Sequence, residues 1–341
     1  MIRPSVFVAS VAALAALSFT TPRVVAQESA PPSAPAHEVP PAPQQAEPAA
    51  PAPTTAPVFP TPDPKNFTAS SPTVDTVNQF LQASWGYDPN RMWQVQAILA
   101  TPAEGVSKVV IFVGDKTGKQ KPAVVQFITL PDGKYIVAGN DVLPFGAHPF
   151  EAVRAKLQAQ ADGPYRGSAE KNLELVEFAD FECPHCKEVQ ANMDKLAVDF
   201  PNARIVFQNY PLERIHPQAQ RAAEYGVCVD KLGGSTAFFQ FASAVFEGQE
   251  GLATYDGATL TLNSAVTKAG LTPAKVEACV ADPATKAKVE ASVKLAQSLG
   301  IIETPTLMVN GRQLPIGGTD YATIKKVVEY QEKLDGVPPS K

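Results

Sequence analysis

The sequence predicts an α/β domain over residues 168–336, preceded by a smaller α+β module with an antiparallel meander over residues 73–162. Three observations carry this. Apolar runs at 172–179 and 204–208 flank an amphipathic stretch that begins at Pro184, which is the order strand, helix, strand. Four short strand-like runs crowd into residues 93–138. The proline excess, 33 in 341 residues, is concentrated upstream, with 13 between Pro31 and Pro64.

At the N-terminus, Arg3 precedes an apolar run from Val6 to Phe19, and Val24-Val25-Ala26 places small residues where a signal peptidase reads. Residues 1–26 are therefore read as a cleavable export signal, since the run is shorter than the roughly 20 residues that span a bilayer. No cysteine follows the cleavage position, so no lipid anchor is expected. Residues 27–72 are read as a Pro/Ala-rich disordered linker, too poor in large apolar side chains to fold.

In the module, Val74, Val77 and Leu81 have helical spacing, and Trp93–Leu99, Lys108–Val113, Val124–Leu130 and Lys134–Ala138 read as strands. Asp115-Lys-Thr-Gly118 and Pro131-Asp-Gly133 are the turn residues that would fold them into a meander. A helix over Phe150–Gln160 follows, and Gly163-Pro-Tyr-Arg-Gly167 reads as the boundary to the next domain. The second domain then runs as a strand at Asn172–Ala179, a helix at Pro184–Phe200 and a strand at Arg204–Gln208. A helical insertion over about 212–299 is broken at Gly233-Gly234, Gly257 and Gly270. A hairpin around Asn310-Gly311 and a final helix to Leu334, capped from Gly317-Gly318-Thr319, complete it.

Composition excludes some roles. A 45% hydrophobic share supports a packed core, and a net charge of −5 without a basic patch argues against nucleic acid and anionic membrane surfaces. Signal cleavage would remove Arg3 and Arg23 and no acid, leaving a mildly acidic, soluble exported protein.

The chemistry lies in Cys183-Pro184-His185-Cys186, at a strand-to-helix junction. There the first sulfur meets unpaired N–H groups and the positive end of the helix dipole, which favours a thiolate. Pro184 suits the first turn, and the spacing lets the two sulfurs bond. A protonated His185 would favour the anion further. Stabilising the reduced thiolate makes the disulfide a stronger oxidant. A zinc site would need a second cysteine pair, and Cys228 and Cys279 are far apart in sequence.

Leu175-Val-Glu-Phe-Ala-Asp-Phe-Glu-Cys-Pro-His-Cys186, with Glu303-Thr304-Pro305-Thr306 ahead of a late strand, resembles the active site of DsbA-like thiol:disulfide oxidoreductases of the thioredoxin superfamily. The resemblance covers Asn172 to Leu334 and implies a thioredoxin fold with a helical insertion. It implies that Cys183 is the exposed nucleophile and Cys186 the buried partner, that Pro184 and His185 tune the pair, and that Cys183–Cys186 is the redox-active disulfide. It also implies that Glu177 is a buried acid relaying protons to Cys186, the alternative being a strand acid that reaches the surface. Thr304 and Pro305, the latter as a cis-proline, would receive client peptide. Export and an even cysteine count make a Cys228–Cys279 bridge the expectation, and relatives with such a bridge imply a structural staple. A redox-active pair regulating Cys183 is the other reading.

Residues Leu130 to Gly139 resemble, more distantly, the dimerisation module of DsbC and DsbG isomerases. The expected function is thus export followed by introduction of disulfides into cysteine-containing client proteins in a bacterial periplasm, with a quinone-linked membrane partner as reoxidant. A DsbC/DsbG-like isomerase or reductase, homodimeric through residues 73–162, is the alternative. A non-catalytic peptide-binding module is the second. No metal, nucleotide or flavin cofactor is implied.

Overall fold

The computed structural model describes residues 59–118 and 121–339; the export signal and most of the spacer lie outside the described residues. Helix α1 (Val74–Trp85) starts at Thr73, whose Oγ1 accepts the Thr76 N–H at 3.1 Å and so satisfies one orphan donor of the first turn. Its Val77, Phe80 and Leu81 form one apolar stripe. The stripe covers a five-stranded antiparallel meander: β1 (Arg91–Ala100), β2 (Ser107–Asp115), β3 (Ala123–Thr129), β4 (Tyr135–Ala138) and β5 (Asp141–Pro144), ordered as in sequence. Val95, Ile98, Val109, Ile111, Phe127 and Ile136 meet α1 in a shared core. Strand β5 was not foreseen; it returns on β4 through Gly139-Asn140, with Gly139 at φ 62°, as a two-residue hairpin requires. The end of the stretch read as linker packs here too, since the N–H groups of Thr68 and Ala69 donate to the Ile98 carbonyl.

Helix α2 (Glu151–Gln160), expected to close the first module, instead buries Leu157 against the second core. The Gly163–Gly167 segment, expected to be a boundary, contains edge strand β6 (Tyr165–Gly167) of the second sheet. That sheet adds β7 (Glu174–Ala179), then α3 (Pro184–Asp199), then β8 (Arg204–Asn209), with β7 and β8 parallel. The helical insertion follows as α4 (Ala219–Glu247), α5 (Tyr255–Lys268), α6 (Pro273–Val280) and α7 (Pro283–Ser298). Strands β9 (Thr306–Val309) and β10 (Arg312–Pro315) and helix α8 (Tyr321–Leu334) end the fold. The strand order β10-β9-β7-β8-β6, antiparallel except for β7/β8, is that of a thioredoxin fold.

All six residues of β7 are buried, as a strand covered on both faces must be. Alternation divides them. Leu175, Ile205, Leu307 and Val309 point toward α3 and α8, whereas Val176, Phe178, Val206 and Met308 pack with α2 and α7.

One glycine reading and one cap are corrected. Gly234 does kink α4, with φ 73° and ψ 179°, but Gly257 lies inside α5, where its N–H is bonded by the N-cap Thr254. Helix α8 is capped by Asp320 rather than Thr319, because the Asp320 carboxylate accepts the Thr323 N–H at 3.0 Å.

The two sheets meet at Arg312, which is 6% exposed. Its guanidinium donates to the Ala83 and Ser84 carbonyls at the end of α1 and to Gln331, and lies over the Phe150 ring at 4.3 Å. A cation is well placed against those terminal carbonyls, which lack helical donors.

Candidate active site

Cys183 is the N-cap of α3 and Pro184 its first helical residue. The Cys186 and Lys187 N–H groups both donate to the Cys183 carbonyl, so the turn folds tightly and brings Cys186 beneath Cys183. Both stand as free thiols in this structure. The cis Thr304–Pro305 peptide faces them from the start of β9, and the Thr304 carbonyl lies 3.5 Å from Cys183 Sγ. Gly317, between β10 and α8, completes the mouth; a Cβ there would lie 3.6 Å from Pro305 and 3.7 Å from His185.

The pair is electrostatically asymmetric. The Cys183 thiol is lowered to about 5, first by the hydrogen bond from the Cys186 thiol, then by Thr304 and the backbone N–H groups of Cys186 and His185, which together outweigh burial. Cys186 is fully buried, and burial first, then the Cys183 sulfur, push its thiol well above the ordinary value. One sulfur is thus the anion and the other holds the proton.

The structure changes two expectations. Cys183 is not openly exposed: at 5% it lies in a cluster with Phe181 and Phe246 beneath the helical insertion. His185 acts on the sulfur through its backbone N–H, because its ring is 62% exposed and Nδ1 pairs with Glu188 Oε2 at 2.9 Å. That carboxylate first, and the Cys183 sulfur to a lesser degree, raise the imidazole's affinity for its proton.

Glu177 is 2% exposed. Strand parity places it with Leu175 on the α3 side, under the helix that begins at Cys183. Gln190 Nε2 bridges Glu177 Oε1 at 2.9 Å and the Cys186 carbonyl at 3.0 Å. Burial raises the Glu177 carboxyl to about 7, so near neutrality it is divided between acid and carboxylate and can give or take a proton.

Cys228 on α4 and Cys279 on α6 are joined by a disulfide. Thr285 Oγ1, at the start of α7, donates to the Cys279 carbonyl at 2.9 Å. The bridge lies across the insertion, whose core includes Cys183 and Cys186.

Sequence reasoning missed several residues of the site. Gln249 Nε2 donates to the carbonyls of Phe181 and Cys183, at 2.8 and 2.9 Å. The buried Asp180 carboxyl accepts the N–H groups of Glu182 and Leu212, each at 2.8 Å, and lies 2.8 Å from His216 Nδ1. Asp180 sits in the active-site motif and could have been singled out as a charge between two phenylalanines. Its partner, 36 positions downstream, has no such signal.

A family model described as Thioredoxin matches residues 159–330. The chain belongs to the thioredoxin family. Its sequence is similar to part of the Na(+)/H(+) antiporter NhaA 3 of Salinispora tropica, 30% identical over 148 residues, which is 43% of this chain and 22% of that protein. It is likewise similar to the Na(+)/H(+) antiporter NhaA of Herminiimonas arsenicoxydans, 30% identical over 169 residues, 49% of this chain and 25% of that protein. The chain therefore spans a quarter or less of the length of these curated relatives. No helix among the described residues is long and apolar enough to cross a membrane.

Among solved structures, the fold is similar to oxidised BdbD of Bacillus subtilis (24% identity, TM-score 0.46, covering 52% of this chain and 95% of that one). It is also similar to DsbA2 of Pseudomonas aeruginosa (26%, 0.42, 50% and 93%) and a thioredoxin-like oxidoreductase of Silicibacter pomeroyi (25%, 0.45, 53% and 98%). The site brings together the groups that thiol–disulfide exchange needs: a low-pKa sulfur at a helix N-terminus, a buried second sulfur, and a cis-proline peptide beside the first. The match begins at residue 159, so the sheet of β1–β5 lies outside it.

Proposed function

We propose that this chain is an exported disulfide donor, which oxidises cysteine-containing client proteins at Cys183–Cys186. The observation that carries the reading is the lowering of the Cys183 thiol to about 5. A thiolate stabilised in the reduced protein shifts the couple toward dithiol, so the disulfide is readily given up.

In the oxidised protein a client thiolate attacks Cys183 Sγ. The Cys183–Cys186 bond breaks, and Cys186 leaves with its electron pair. Glu177, about half protonated at pH 7 and linked to the Cys186 turn through Gln190, supplies the proton to Cys186 from its acid form. A second client thiolate attacks the client sulfur of the mixed disulfide and releases Cys183 as the thiolate. Two electrons have then passed from client to protein. A quinone-linked membrane partner takes them and restores the disulfide.

Thr304 and Pro305 receive the client. The Thr304 side chain is buried, and its hydroxyl and carbonyl both lie beside the Cys183 sulfur. An extended client peptide would pair with this edge. Export rests on residues 1–26, and a periplasmic setting follows from it.

The test is stoichiometric oxidation of a reduced, cysteine-containing protein by the purified oxidised chain, with its solution mass measured on the same sample. One equivalent of client disulfide per equivalent of protein is expected, and none from Cys183→Ser. Failure to oxidise, or a dimer that only reshuffles disulfides, would replace the reading with that of a reductase or isomerase.

A further inference from the structure

We infer that His216 is a positioning residue for the redox pair: it braces Asp180, the residue whose main chain holds both cysteines. The inference rests on thiol–disulfide exchange at Cys183–Cys186.

Asp180 follows the last residue of β7, and its main chain touches each half of the pair. Its carbonyl accepts the Cys183 N–H at 3.1 Å, and its N–H donates to Cys186 Sγ at 3.4 Å. Residues 180–182 themselves belong to neither ladder, because the chain has left β7 and has not yet entered α3. It is fixed by the Asp180 side chain, which is fully enclosed and held on three sides. The Glu182 N–H binds one oxygen within the same turn, whereas the Leu212 N–H and His216 Nδ1 both reach the other from the connection between β8 and α4. Of the two outside ties, His216 is the one made by a side chain, and its ring is 17% exposed.

The chemical consequence concerns the leaving sulfur. When a client thiolate opens the disulfide, Cys186 departs as a thiolate while Cys183 is tied up in the mixed disulfide and has no proton to offer. The Asp180 N–H remains as the main-chain donor on the Cys186 sulfur. Exchange is faster and reduction more favourable when the leaving thiolate is stabilised. A hydrogen bond to sulfur already at 3.4 Å weakens if its donor retreats, so losing the brace should be felt at Cys186, although His216 contacts neither cysteine.

The experiment uses the full exported chain and glutathione as the probe. The equilibrium constant for reduction of Cys183–Cys186 and the rate of its opening by glutathione are measured for wild type, His216→Ala, His216→Leu and His216→Asn. Leucine keeps most of the volume without the hydrogen bond, and asparagine can place an amide N–H near the Nδ1 position. Reduction is expected to become threefold to tenfold less favourable in the Ala and Leu variants, about 15–30 mV at ~30 mV per decade, with opening slowed in proportion and with Asn within twofold of wild type. Unchanged constants in folded Ala and Leu variants, with only a lower melting temperature, would overturn the inference, as would failure of both to fold. A wild-type pair that glutathione does not reduce at all would instead overturn the exchange reading beneath it.

Discussion

Replacing Glu177 with glutamine should stabilise the oxidised protein, and by an amount that depends on pH. Burial raises this carboxyl from 4.5 to about 7. Between those values the unfolded chain has released the proton and the folded protein keeps it, so folding takes up a proton. The stability associated with the neutral carboxyl is complete below pH 4.5 and is lost as pH rises through about 7. Each unit of displacement is worth ~1.4 kcal/mol, so charging the buried carboxylate costs about 3 kcal/mol by pH 8. Glutamine cannot ionise, and its carbonyl can still accept from Gln190. Urea unfolding of the oxidised forms, where Cys183 does not titrate, should show Glu177→Gln close to wild type at pH 4.5 and up to about 3 kcal/mol more stable at pH 8. The same variant should release Cys186 more slowly at pH 6, having lost its proton donor. A difference that is flat from pH 4.5 to 8, or a wild type that is the more stable at pH 8, would refute the assignment of the buried acid.

The remaining expectations concern the two cysteine pairs. Alkylation of Cys183 in the reduced protein should follow a single titration with a midpoint near 5, and a midpoint above 7 would show that the hydrogen bonds around the sulfur do not hold a thiolate. Replacing both Cys228 and Cys279 with alanine opens a loop spanning 51 positions and should cost roughly 2–4 kcal/mol in denaturant unfolding. The potential of Cys183–Cys186 should be unchanged in that variant if the bridge is a staple; a shift would make it a regulator of the active pair.

Much of the thioredoxin-like half was legible because its signals are local. The CPHC sequence carries its own helix start, and the apolar runs of β7 and β8 have the length and composition of buried strands. The failures occur where the determining contact is distant. Tyr165–Gly167 has the Gly and Pro of a boundary, and only pairing with Arg204–Val206 makes it a strand. Helix α2 carries no mark of which sheet will receive Leu157, so sequence order assigned it to the wrong one. Strand β5 is four residues long, below the length at which alternation is readable. At the site, Cys183, Cys186 and Pro305 were readable from motif, and the Glu177 position from its offset to Cys183. Its burial was implied by the resemblance and is found, although the residues alone left it open, since a single acid in an apolar strand reads equally as an outward-facing one. The burial of Cys183 under the insertion and the ties from His216 and Gln249 come from tertiary packing, the ties reaching across 36 to 68 positions. Local composition does not report contacts of that kind.

The proposed direction of electron flow is tested most directly by the equilibrium potential of Cys183–Cys186 in glutathione buffers at pH 7. A thiolate held as strongly as Cys183 is here should place the couple well above thioredoxin's value of about −270 mV, toward the strongly oxidising end of the family. A potential at or below about −270 mV would contradict a disulfide donor and make the chain a reductant.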